Sequence, residues 1–128
     1  MHAKTLSTVT IATALVLLAG ASPAAAHEGR VERKSGTCGA ADWKLKAKAD
    51  DGRLEVEYEL DTNHAGRAWR VKIFDNGTRV VKVRRTTQPP SGSFSVEPRI
   101  ANRKGVDHLV VRARRIGTDR VCRGTLSF

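Results

Sequence analysis

The sequence predicts an all-β fold: a seven-stranded antiparallel β-sandwich in one domain, tied by one disulfide. Three observations predict it. Apolar and polar residues alternate with period two in seven short runs. Turn-forming residues punctuate those runs every 8–12 positions or so, and no stretch carries a helical period. The chain has 128 residues, 40% of them hydrophobic, which suits a single packed core and argues against wholesale disorder.

Residues 1–26 are set aside as a signal peptide. Lys4 gives a positive start, the run from Val9 to Gly20 is apolar, and Ala24-Ala25-Ala26 fits a small-residue cleavage site. The apolar run is about 12 residues, whereas a membrane span needs roughly 20. The expected product is therefore secreted, starts at His27, and has no integral membrane association after cleavage. Residues 27–37 (HEGRVERKSGT) are polar without period and read as a flexible leader. The sandwich domain is expected over 38–128.

Export bears on the two cysteines. Outside the cell a disulfide persists, so Cys38 and Cys122 are expected to pair.

The first run places Trp43, Leu45, Ala47 and Ala49 against Lys44, Lys46 and Lys48. The second places Leu54, Val56, Tyr58 and Leu60 against Glu55, Glu57 and Glu59. Asp51-Gly52 between them is a strong hairpin signal. A two-residue turn there sets Lys48 opposite Glu55, Lys46 opposite Glu57 and Lys44 opposite Glu59. A one-residue slip would bury charges, so the register is well specified.

After the loop Asp61 to Gly66, the third run holds Trp69, Val71 and Ile73, with Arg70 and Lys72 opposite. Asp75-Asn76-Gly77 makes the next turn, and the fourth run holds Val81 and Val83 with Lys82 and Arg84 opposite. A two-residue Asn76-Gly77 turn would pair Val71 with Lys82 across one face. A longer loop, pairing Val71 with Val81 or Val83, is expected instead.

Phe94 and Val96 form a short fifth run after Gln88 to Gly92 (QPPSG), and Pro98 ends it. Residues 100–106 read as an irregular crossing. Leu109, Val111 and Ala113 form the sixth run, with Arg112 and Arg114 opposite. Cys122, Gly124, Leu126 and Phe128 form the seventh, with Arg123 opposite. Ala113 is expected to face Cys122.

Seven strands in this order resemble an immunoglobulin or fibronectin type III sandwich. The segment IANRKGVDHLVVRAR, from Ile100 to Arg114, is similar to the crossing and following strand of fibronectin type III domains. The mature chain also resembles small secreted actinobacterial proteins. In those, a GTC segment opens the domain, a W-R-V strand runs into D-N-G, and a C-R-G-T segment closes it. Here these are Gly36-Thr37-Cys38, Trp69 to Gly77, and Cys122 to Thr125. The resemblance implies the fold and export. It implies no activity or site.

Candidate chemistry is sparse. Signal cleavage after Ala26 would make His27 the first residue, whose amine and ring together suit copper. His64, in the loop after the second run, is the candidate second ligand, with His108 expected at the opposite end of the sandwich. That copper-binding reading is an alternative to the main one, as is a protein-interaction module using loops at one end. Asp61 with His64, and Asp107 with His108, lack a nucleophile beside them in the sequence. The glutamates of the second run are spaced for salt pairing, not for paired-carboxylate catalysis. A non-enzymatic protein without a cofactor is expected. Asn76-Gly77-Thr78 matches a glycosylation sequon but reads first as a turn.

Charge is the informative feature. The chain carries 23 Lys+Arg against 13 Asp+Glu. Residues 27–62 hold 7 basic and 9 acidic residues, and residues 63–128 hold 15 basic and 4 acidic. If the third, fourth, sixth and seventh runs share a sheet, its outer face carries Arg70, Lys72, Lys82, Arg84, Arg112, Arg114 and Arg123. Such a face is expected to bind anionic cell-envelope or extracellular polymers, such as a wall phosphate polymer or an acidic polysaccharide. Nucleic acid is disfavoured because the face lacks interleaved aromatics for stacking; only Phe74 is expected near it. A monomer is expected.

Overall fold

A computed structural model describes residues 29–128. The expected signal segment and His27 lie outside them. Nine strands form two antiparallel sheets. They are β1 (Val31–Cys38), β2 (Ala41–Asp50), β3 (Arg53–Asp61), β4 (Ala68–Asp75), β5 (Thr78–Thr86), β6 (Ser93–Val96), β7 (Arg99–Ala101), β8 (His108–Arg115) and β9 (Val121–Ser127). One sheet runs β1-β2-β3-β6, with β7 also pairing β3. The other runs β5-β4-β8-β9. Among the described residues no helix is long and apolar enough to cross a membrane.

The β2–β3 hairpin has the expected register. Trp43 faces Leu60, Lys46 faces Glu57 and Ala49 faces Leu54. Asp51 and Gly52 both take positive φ, 49° and 70°, as a tight turn matched to strand twist requires. The β8–β9 register is likewise as expected, with Ala113 facing Cys122 and Leu109 facing Leu126.

Two expectations are corrected. The strand count is nine, because β7 occupies part of the expected crossing and β1 occupies most of the expected leader. β1 pairs with β2 along its whole length, from Val31 opposite Lys48 to Cys38 opposite Ala41. It lacks an apolar alternation because no residue of it is fully buried. Pairing and the Cys38–Cys122 disulfide to β9 hold it, with Cα atoms 5.5 Å apart. The ring of Trp43 lies across Gly36, so that an added Cβ there would sit 2.7 Å from it.

The β4–β5 loop is the second correction. The turn is the two-residue Asn76-Gly77, with φ of 47° and 83°, and Asp75 faces Thr78. Val71 nevertheless faces Val83 and Ile73 faces Val81. A bulge between Ile73 and Phe74 reconciles the two by leaving Val80 as the extra residue on β5.

Leu45, Ala47, Leu54, Val56, Tyr58 and Leu60 from one sheet meet Trp69, Val71, Ile73, Leu109, Val111 and Leu126 from the other, all buried. Each buried Leu, Ile or Val contributes roughly 1.5–3 kcal/mol of apolar transfer. Phe94 bridges the aromatic centre, its ring centroid 6.4 Å from Tyr58 and 6.3 Å from Trp69. Burial pushes the Tyr58 phenol well above its ordinary pKa. Inward alternation on β4 and β8 is thereby fixed, and their remaining residues must face out.

Candidate anion-binding face

Residues directly opposite in an antiparallel pair share a face of the sheet. Arg84 faces Arg70, Arg70 faces Arg114, and Arg114 faces Val121. One step along, Lys82 faces Lys72, Lys72 faces Arg112, and Arg112 faces Arg123. The seven expected cations thus fall into two adjacent rungs across four strands. Strands sit about 4.8 Å apart and same-face neighbours about 7 Å apart, so the backbone positions span roughly 14 by 7 Å. Lys72 is half-buried and the other six are exposed.

No acidic residue stands in either rung. The one ion pair touching the face, among the described residues, joins Arg114 Nη2 to Asp119 Oδ1 at 3.6 Å. Phe74 does lie beside the face, with the Arg112 guanidinium carbon 5.8 Å from its ring centroid. It is half-buried and leaves little ring for stacking a base.

The other sheet's outer face is balanced. Lys44, Lys46 and Lys48 face Glu59, Glu57 and Glu55. Lys46 closes a 2.7 Å ion pair with Glu57, while Glu55 reaches Arg99 at 3.9 Å. Charge asymmetry along the sequence has become asymmetry between two faces.

Three participants escaped sequence reasoning. Arg79 stands opposite Phe74 because of the bulge. Ile116 and Asp119 belong to the β8–β9 turn, where the Ile116 N–H donates to the Ala68 carbonyl at 2.9 Å and brings the turn against β4. The signal for Asp119 was its sign: it is one of four acidic residues after position 62.

His64 and His108 are not brought together. The described chain begins at Gly29, whose N–H donates to Ala49, beside the β2–β3 turn. His64 lies past the far end of the nine-residue β3, about 30 Å of strand away. Gly29 and His64 thus lie at opposite ends of the sheet, because the expected leader runs back as β1; His27 lies outside the described residues. His108 lies instead at the end where the described chain begins, with its Nδ1 2.8 Å from Ser127 Oγ. Among the described residues no group of three His, Cys, Asp or Glu is placed to hold a metal ion.

One further titratable cluster is built in. Asp75 at the end of β4 and Asp107 before β8 are both fully buried. Asp107 is pushed up to about 6, by burial first and then by the Asp75 carboxyl beside it, with Arg103 opposing. Arg103 Nε lies 3.5 Å from Asp75 Oδ2.

Comparison of the chain with protein-family models, with curated proteins and with solved structures gives no match.

Proposed function

We propose that this is a secreted, non-enzymatic binding module whose cationic sheet face associates with anionic cell-envelope or extracellular polymers. The observation that carries the reading is the pair of rungs. Seven cations share one face without an acid among them, while the opposite outer face is paired and balanced. Like charges held side by side repel, and a polyanion relieves that repulsion while releasing its own counterions. Five of the seven are arginines, whose planar forks match phosphate, sulfate and carboxylate oxygens. Export rests on the signal pattern, and the Cys38–Cys122 disulfide is compatible with an oxidising location. An immunoglobulin or fibronectin type III-like arrangement fits the division of β2, β3 and β6 from β5, β4, β8 and β9.

The test is retention on purified cell-wall material across a salt series. Binding through phosphate contacts should fall steeply with salt, on a log–log slope set by the number of contacts. Retention that is the same at low and high salt rejects the reading.

A further inference from the structure

The cationic face is not uniform. At one corner β4 and the β8–β9 turn enclose a groove of about 390 Å³, lined by Arg70, Arg114, Ile116, Gly117, Thr118 and Asp119. We propose that this groove is the anchoring subsite of the face, where one phosphate group of a linear phosphate polymer displaces the Asp119 carboxylate from Arg114. The inference rests on the proposed anion-binding role of the face and adds its ligand chemistry and the place where the ligand is held.

The groove is already shaped around an oxyanion. Asp119 presents its carboxylate to Arg114 at 3.6 Å, yet its own side chain is fully exposed. An exposed pair of this kind contributes about 0–1 kcal/mol, so a stronger anion replaces it at little cost. Arg114 is partly positioned without that partner, because its Nε donates to the Thr118 carbonyl at 3.3 Å. The turn that carries the carbonyl is itself tied down. Thr118 Oγ1 donates to the Arg115 carbonyl at 3.0 Å and accepts the Arg120 N–H at 3.2 Å.

Arg70 supplies the second guanidinium. It faces Arg114 directly across the β4–β8 pair and, among the described residues, has no acidic partner. Two forks approaching one groove from neighbouring strands suit a tetrahedral phosphate, whose free oxygens diverge. A planar carboxylate turns both oxygens one way and suits one fork, and Asp119 reaches Arg114 through a single oxygen. Ile116 gives the groove one apolar wall, 38% exposed. The remaining cations then line the path of the chain across β5, β4, β8 and β9.

The experiment is equilibrium binding of inorganic polyphosphate and, separately, of an acidic polysaccharide, at low salt, to the secreted protein and four variants. Asp119→Asn should tighten polyphosphate binding roughly two- to fivefold, the loss of one exposed competing pair. Glu59→Gln, the same charge change on the opposite sheet, should leave it unaltered. Arg70→Gln should weaken it about tenfold, as expected for a charge-assisted hydrogen bond. Arg112→Gln removes the same charge from the middle of the flat rung and should weaken it less. The subsite is overturned if Asp119→Asn has no effect or matches Glu59→Gln, or if Arg70→Gln and Arg112→Gln weaken binding equally. A wild-type protein that binds the polysaccharide but not polyphosphate also overturns the subsite and leaves the broader reading standing. Binding to neither polymer overturns both.

Discussion

Arg70 of β4 and Arg114 of β8 stand directly opposite one another in the sheet, two like charges where a stable sheet would pair opposite ones. Arg84 continues the row on the other side of Arg70. Directly opposed like charges destabilise a sheet, so the face proposed to bind a polyanion also weakens the fold. Arg70→Thr relieves both contacts and introduces a residue favoured in strands. Stability should rise by about 0.3–1 kcal/mol at low salt. The gain should shrink at high salt, where the repulsion is screened. Urea unfolding at two ionic strengths reads this directly, and a loss of stability at low salt contradicts it.

The disulfide joins the first strand to the last, with 84 residues of separation between Cys38 and Cys122. A cross-link closing a loop of that length restricts the unfolded chain by about 4–5 kcal/mol in the chain-entropy model. Replacing both cysteines by alanine should lower unfolding stability by that order. It should also release β1, which has no fully buried residue to hold it. Hydrogen exchange of the β1 amides should therefore quicken more than that of β3. Equal protection across the two strands in the variant contradicts this account.

Trp43 explains two glycines on different strands. Its ring passes 2.7 Å from where a Cβ on Gly36 would stand, and 3.1 Å from one on Gly124. Gly36→Ala forces the ring to move and should cost about 1–3 kcal/mol, the usual range for overpacking. Gly124→Ala asks for a shift of a few tenths of an ångström and should cost less. The comparison is made by thermal or urea unfolding of the two variants. The reverse order, or no cost for Gly36→Ala, removes Trp43 as the reason for these glycines.

What the sequence made legible depended on whether a strand buries one side. β2, β3, β8 and β9 do so, and their registers follow from alternation and turn residues alone. So did the composition of the cationic face, since the outward positions of a half-buried strand are fixed by the inward ones. β1 was not legible because its side chains are half-buried or exposed; Gly36 beneath Trp43 mattered more than any apolar residue. The β4–β5 bulge left one trace, the doublet Val80-Val81, which breaks the alternation by a single position. The place of Asp119 beside Arg114 depends on how a five-residue turn folds over its own strand, which no period in the sequence encodes. The distance between Gly29 and His64 comes from direction: once β1 is a strand, the described chain begins at the end away from the β3–β4 loop.

The buried pair Asp75 and Asp107 makes a prediction about pH. Both carboxyls are at most 1% exposed, and Arg103 is their one counter-charge among the described ion pairs. Burial and the neighbouring Asp75 raise Asp107 to about 6, whereas an unfolded aspartate titrates near 3.9. Between those values the native state keeps a proton that the unfolded state has lost. Stability from this group is therefore complete below about pH 4 and is lost as pH rises through about 6. Other groups near the pair do not reverse that sign. His108 is directed to Ser127, and Arg30 lies over the Phe128 ring. Asp107→Asn keeps the shape and fixes the neutral form. The difference in unfolding free energy between wild type and Asp107→Asn should move in favour of the variant as pH rises from about 4 to 6, and level off above that range. The measurement is urea unfolding of both proteins at matched ionic strength. A difference that stays constant across the range, or moves toward the wild type, shows that Asp107 enters the fold ionised and that Arg103, not a shared proton, keeps the pair buried.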